Sequence, residues 1–180
     1  MLFLDLDETL IHTAFLEGDQ KVRFVFTQPV VYYRPHLDYF LKEMAKRFNL
    51  VLFTASFREY AEKILNKIDS ESKYIQNVLA RENCTKYQNN CIKDFRIVAN
   101  KNISREDMLI LDNKVISFAY NLYQGIPILP YTNDERDTEL LNIVPFLSQL
   151  ADKTIPLKEI LKERYNYSRY NNLHFDNSIC

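Results

Sequence analysis

Leu2-Phe3-Leu4-Asp5-Leu6-Asp7-Glu8-Thr9-Leu10 carries an apolar run straight into a cluster of carboxylates. A run from Leu2 to Leu6 that ends on acids predicts a buried parallel strand with its chemistry at the C-terminal end. At such an end, residues two apart point the same way, so Asp5 and Asp7 project toward one ligand with Leu6 buried between them. Two carboxylates that close resist joint ionisation unless a cation is present. Magnesium would relieve the repulsion, since it takes oxygen ligands, keeps several waters and sits readily beside a phosphate. A plainer reading stands next to this one. Acids after a strand often only terminate it, and Asp7 or Thr9 would serve as caps of a following helix.

Two other apolar runs end the same way. Leu50 to Phe53 leads into Thr54-Ala55-Ser56, and Met108 to Leu111 leads into Asp112-Asn113. Val78-Leu79-Ala80 and Ile126 to Leu129 read as further short strands. Between them lie helical patterns. Pro35 opens a helix with Leu37, Phe40, Leu41 and Met44 on one face, and Tyr60, Ala61, Ile64, Leu65 and Ile68 mark a second. Residues 135–151 and 157–164 are also helical in pattern. Residues 21–27 alternate and, with Val30 to Tyr33, predict a half-exposed hairpin inserted after the first strand. Asn89-Asn90 marks a turn between two short β segments. Strands alternating with helices imply an α/β three-layer sandwich around a mostly parallel sheet, with the site outside the carboxyl ends of the strands. Asp5, Asp7, Thr54, Asp112 and Asn113 therefore converge on one expected site: Thr54 offers a hydroxyl to a phosphate oxygen, and Asp112 and Asn113 complete a metal shell. A lysine is needed against the phosphoryl charge; Lys93 is the candidate, although a lone lysine is usually a solvated surface group.

Composition removes several other chemistries. The 180 residues are 47% hydrophobic and 26% charged, with a net charge of −1, so no global field draws nucleic acid or an anionic membrane. Gly18 and Gly125 are the only glycines, too few to write a glycine-rich phosphate cradle. Cys84, Cys91 and Cys180 have no CxxC spacing and fit a reduced intracellular protein. No arginine stands six residues after Cys84 or Cys91, so a cysteine nucleophile of the phosphatase type is not written here. His12, His36 and His174 lack zinc-ligand spacing. No apolar run reaches bilayer length, and Met1-Leu2-Phe3-Leu4 without a basic stretch does not read as a signal peptide.

The motifs together resemble a known family. Phe3-Leu4-Asp5-Leu6-Asp7-Glu8-Thr9-Leu10-Ile11-His12 is similar to the first motif of the haloacid dehalogenase superfamily, and within it to the branch of RNA polymerase II C-terminal-domain phosphatases. Arg34-Pro35-His36-Leu37-Asp38, Val51-Leu52-Phe53-Thr54-Ala55-Ser56 and Arg81-Glu82-Asn83-Cys84 match that branch in order. So do Ile92-Lys93-Asp94, Ile110-Leu111-Asp112-Asn113 and Asp137-Thr138-Glu139-Leu140, so that the resemblance covers residues 2 to about 164. It implies one phosphatase domain over 1–164 without a large cap, followed by a loosely ordered tail over 165–180.

The resemblance also implies roles. Asp5 is the nucleophile that forms an aspartyl-phosphate, and Asp7 is the general acid and base, its backbone carbonyl also binding magnesium. Thr9 orients the loop, Thr54 holds the phosphoryl group, Lys93 neutralises its charge, and Asp112 and Asn113 hold or position the metal. Arg81 matches a substrate-side arginine. Phe15, Phe57 and Tyr60 fall where the family places apolar contacts for a proline beside the phosphoserine, positions that core packing would explain equally. The implied partner is a phosphoprotein or phosphopeptide; the expected state is a monomer without direct nucleic-acid binding, and the lack of a targeting signal allows nucleus or cytoplasm, a viral protein acting in a host cell included. The chain departs from the family pattern in three places. The insertion between His12 and Arg34 is short, segment 85–92 lacks the usual His-Arg-Gly-Asn-Tyr character, and Lys114-Val115 replaces the common Ser-Pro. Two other functions stay open: a small-molecule or nucleotide phosphatase of the same fold, and a polypeptide-binding protein built on it.

Overall fold

The computed structural model describes residues 1–14, 29–99, 103–152 and 157–165. Five parallel strands form the central sheet: β1 (Leu2–Leu4), β4 (Leu50–Phe53), β5 (Ile75–Leu79), β8 (Leu109–Asp112) and β9 (Gly125–Pro127), in the order β5-β4-β1-β8-β9. β1 lies at the centre, with Leu4 opposite Leu52 on one side and Leu111 on the other. The chain builds outward from β1 through β4 to β5, then returns to add β8 and β9 on the opposite side. The order reverses at β1, which puts the crevice for a ligand at its carboxyl end.

The pleat sorts the strand residues between two cores. Leu2, Leu4, Leu50, Leu52, Leu109 and Leu111 face α1 (Leu37–Ala45), α2 (Arg58–Ile68), α3 (Glu139–Ala151) and α4 (Leu157–Arg164). Phe3, Val51, Phe53 and Ile110 face the other way, onto Phe95, Met108 and Phe118. That second layer consists of 3-10 segments, chiefly Phe95–Ile97 and Val115–Gln124, in place of the α-helices that alternation predicts. The longer of them is kinked at Phe118 and Asn121, which explains why no helical period marks it. In α1 the residues Leu37, Phe40, Leu41 and Met44 are buried, as their spacing requires. Among the described residues no large cap covers the sheet.

Several boundaries move for physical reasons. Val30–Tyr33 forms β3, but its antiparallel partner is β2 (Ile11–Ala14); residues 21–27, the expected partner, lie outside the described residues. α1 begins at Leu37, not at Pro35, because His36 takes a left-handed conformation (φ 65°) just before it. α3 begins at Glu139, not at 135, because residues 134–137 form a turn and the Asp137 carboxylate accepts the Glu139 N–H. β6 (Thr85–Tyr87) and β7 (Asn90–Ile92) form the expected small hairpin, but it turns at Gln88-Asn89, not at Asn89-Asn90, because Gln88 takes φ 52° and Asn90 already pairs with Tyr87. The tail from 166 onward lies outside the described residues.

Candidate active site

β1, β4 and β8 are neighbours, so Asp5, Thr54 and Asp112 lie at adjacent strand ends. Beyond Asp5 the chain bends sharply. Glu8 adopts φ 58°, rare for a residue with a Cβ, and the N–H groups of Thr9, Leu10 and Ile11 all reach the Leu6 carbonyl. That tight loop leads into β2, so neither Asp7 nor Thr9 caps a helix. Instead Thr9 Oγ1 donates to Asp5 Oδ2 at 2.8 Å and accepts from the Asn113 N–H at 3.2 Å, tying the first strand's loop to the end of β8.

Lys93 completes the centre. It follows β7, and its side chain is 1% exposed. Its Nζ donates to Asp5 Oδ1 at 2.5 Å and to Asp112 Oδ2 at 2.6 Å. Burial alone would lower the Lys93 pKa, but Asp5 and Asp112 outweigh it and raise it to about 12, so the ammonium stays charged. For Asp112 the balance falls the other way. Burial pushes its carboxyl up to about 6, Lys93 opposes and Asp5 adds to the rise. The Lys93 backbone is anchored as well: its N–H donates to the Ser117 carbonyl and its carbonyl accepts from Asn121 Nδ2 at 2.7 Å. The otherwise irregular segment 115–124 thus serves to hold this lysine.

Two carboxylates against one ammonium leave the pocket with a negative balance. The side-chain oxygen of Asn113, buried one residue beyond Asp112, has no hydrogen-bond partner among the described residues. A buried oxygen without a partner, one residue beyond Asp112, suits a small cation with a preference for oxygen. Among the described residues no group of three or more His, Cys, Asp or Glu side chains could hold a metal. The side chains of Asp5, Asp112 and Asn113 are the ones that could hold such a cation. The Asp7 side chain is engaged elsewhere, accepting from Ser56 Oγ at 2.6 Å and from the Tyr60 hydroxyl at 2.9 Å. Burial, only partly opposed by Thr13, holds the Tyr60 phenol well above its ordinary pKa. Thr54 is buried, and its Oγ1 accepts the Ser56 N–H at 3.0 Å.

An open cavity of ≈340 Å³ adjoins this centre, lined by Asp7, Thr13, Pro29, Ser56, Phe57, Tyr60 and Arg81. Phe57 is 63% exposed, so core packing does not account for it. The Arg81 guanidinium lies 4.3 Å over its ring and donates to the Ala55 carbonyl.

The model of the NLI interacting factor-like phosphatases matches residues 1–156. The chain belongs to this family. It is 39% identical over 171 residues to CTD small phosphatase-like protein 3 of Caenorhabditis elegans, covering 91% of this chain and 58% of that protein. It is 33% identical over 155 residues to human carboxy-terminal domain RNA polymerase II polypeptide A small phosphatase 1, covering 82% of this chain and 58% of that one. The chain spans 36–58% of the length of the first curated relatives it matches. Among solved structures, fission yeast RNA polymerase II CTD phosphatase Fcp1 shares the fold, with a TM-score of 0.56 at 17% identity over 96% of this chain and 66% of that one.

In this family member the structure brings Asp5, Thr9, Lys93, Asp112 and Asn113 together, and sets Asp7, Phe57, Tyr60 and Arg81 around the adjoining cavity. Phe15 lies outside the described residues. The plain alternative for Lys93, a solvated surface lysine, is overturned by its burial between two acids. Sequence reasoning missed Asn121 and Ser117, whose roles run through backbone groups of Lys93 and leave no spacing signal. Ser56 stands in the sequence only as part of the strand-end motif Thr54-Ala55-Ser56. A hydroxyl two residues past Thr54 and four before Tyr60 was the available hint. Cys84 is half-buried, and burial raises its thiol to about 11 against the opposing charge of Lys93, which argues against it as a nucleophile.

Proposed function

We propose that this chain is a magnesium-dependent phosphoserine/phosphothreonine protein phosphatase working through an aspartyl-phosphate on Asp5. The observation that carries the reading is the buried cluster of Asp5 and Asp112, at two adjacent strand ends, with Lys93 between them and the buried Asn113 oxygen one residue on. Asp5 is held for attack from both sides, by Thr9 on one oxygen and Lys93 on the other. Its carboxylate forms the bond to phosphorus while the bond to the substrate oxygen breaks, and Asp7 passes a proton to that oxygen. In the second half Asp7 takes a proton from the water that attacks phosphorus, releasing phosphate and restoring Asp5. Lys93 remains cationic throughout and offsets the phosphoryl charge. Asp5, Asp112 and Asn113, with the Asp7 carbonyl, would hold magnesium, which would supply further positive charge against the phosphoryl group.

The open cavity supports a polypeptide substrate. Phe57 and Arg81 present an exposed apolar and cationic wall beside Asp7, and no cap among the described residues restricts access to a small molecule. The test is phosphate release from phosphoserine-proline peptides, sugar phosphates and nucleotides, with magnesium and with chelator. Wild type should turn over the peptides only with the metal, and Asp5→Asn should lose at least about 10³-fold. Equal background for both proteins on every substrate contradicts the enzyme reading, and turnover confined to metabolites contradicts the protein-substrate reading.

A further inference from the structure

Both oxygens of the Asp7 carboxylate are held by hydroxyls from neighbouring points of the chain. Ser56 Oγ donates to Oδ2 and the Tyr60 hydroxyl donates to Oδ1. In that contact the Tyr60 hydroxyl is the donor, so its proton lies on the Asp7 side. The Tyr60 oxygen lies 2.6 Å from Thr13 Oγ1 and accepts its proton, so the chain of donors runs Thr13 to Tyr60 to Asp7. The three anchors come from separate elements: Thr13 from β2, Ser56 from the turn after β4, and Tyr60 from the first turn of α2. Ser56 is fixed in turn by its N–H to Thr54 and by its carbonyl to the Arg81 N–H.

Ordinary satisfaction of a buried acid does not explain the arrangement. Asp7 is only half-buried and lines the open cavity together with all three hydroxyl residues, so water would satisfy it without them. The hydroxyls add direction. We infer that Tyr60 and Ser56 are positioning residues for Asp7, locking its carboxyl toward the cavity where the substrate's leaving oxygen lies, with Thr13 keeping the Tyr60 hydroxyl turned to Asp7. The inference rests on the reading of Asp7 as general acid in a phosphatase. When the bond from Asp5 to phosphorus forms and the phosphorus–oxygen bond to the leaving group breaks, the Asp7 proton goes to the departing oxygen. The products are the free hydroxyl compound, aspartyl-phosphate and ionised Asp7. A misaimed Asp7 therefore hurts a basic leaving group, which needs the proton, far more than a nitrophenolate, which does not.

The experiment measures kcat/KM with magnesium over substituted phenyl phosphates, from 4-nitro to unsubstituted phenyl. These are substrates of similar size, so a changed contact with the cavity wall does not mimic the effect. Tyr60→Phe and Ser56→Ala should each lose at least about tenfold on phenyl phosphate and less than about threefold on 4-nitrophenyl phosphate, steepening the dependence on leaving-group basicity. Ser56→Thr, which keeps the hydroxyl, should stay near wild type, and Thr13→Val should show the same selectivity with a smaller loss. Thermal melting separates these effects from misfolding; if Tyr60→Phe does not fold, the Ser56→Ala and Ser56→Thr pair decides. Equal losses on both substrates, or none in folded variants, with wild type active, overturn this inference alone. A wild type without magnesium-dependent turnover on any of them overturns it together with the phosphatase reading.

Discussion

Lys93 is a side chain that water would ordinarily claim, and it stays inside because two carboxylates meet it. Its Nζ reaches Asp5 and Asp112 at hydrogen-bond distance while the site around it is closed to solvent. Removing one partner of such a cluster is worse than never building it, since the remaining charges are left buried against each other. Lys93→Met should therefore destabilise the fold by about 3–5 kcal/mol in urea unfolding. In the folded fraction, magnesium-supported phosphate release should fall by about 10²–10³-fold. Unchanged stability with unchanged turnover would show that Lys93 belongs to neither the fold nor the chemistry.

At the scale of elements, the two glycines sharpen into one structural requirement. A Cβ on Gly125 at the start of β9 would overlap the ring of Phe118, the aromatic that plugs the second face of the sheet. Ring and strand are both packed, so neither yields cheaply. Gly125→Ala should cost about 1–3 kcal/mol, measured as a lowered urea midpoint with unchanged slope. Strands and α-helices of this kind were legible in the sequence because burial on one face imposes a period: Leu37, Phe40, Leu41 and Met44 predict α1, and the runs before Asp5, Thr54 and Asp112 predict β1, β4 and β8. The layer made of 3-10 segments was not legible, because Phe118 and Asn121 break any period and the segment's value lies in backbone bonds to Lys93. The pairing of β2 with β3 was also hidden, since Ile11-His12-Thr13-Ala14 reads as a continuation of the acidic motif and not as a strand. At the site, chemistry types at strand ends were readable, whereas the hydroxyl clamp on Asp7 depends on how α2 approaches β2.

Across the whole molecule, Arg34 connects parts far apart in sequence. It is 1% exposed, pairs in a fork with Asp137 at 2.9 and 2.8 Å, and donates to the carbonyls of Thr9 and Leu129. One guanidinium thus binds the Asp5–Thr9 loop, the segment after β9 and the start of α3, a use that suits the rigid arginine fork. Arg34→Met should lower stability by about 3–5 kcal/mol and loosen the Thr9 loop, so that turnover falls in protein that remains folded. A stability change under 1 kcal/mol in urea unfolding would show that the fork is dispensable. The sheet order does the remaining work by setting the ends of β1, β4 and β8 side by side. That geometry is of value to catalysis only if Asp5 itself takes up phosphate. Acid-quenching the enzyme during turnover of a phosphoserine peptide with magnesium, reducing with borohydride and sequencing the peptides by mass spectrometry tests this directly. The account predicts homoserine at position 5, absent without substrate and absent in Asp5→Asn. Homoserine at another aspartate, or none at any aspartate during sustained turnover, would contradict it.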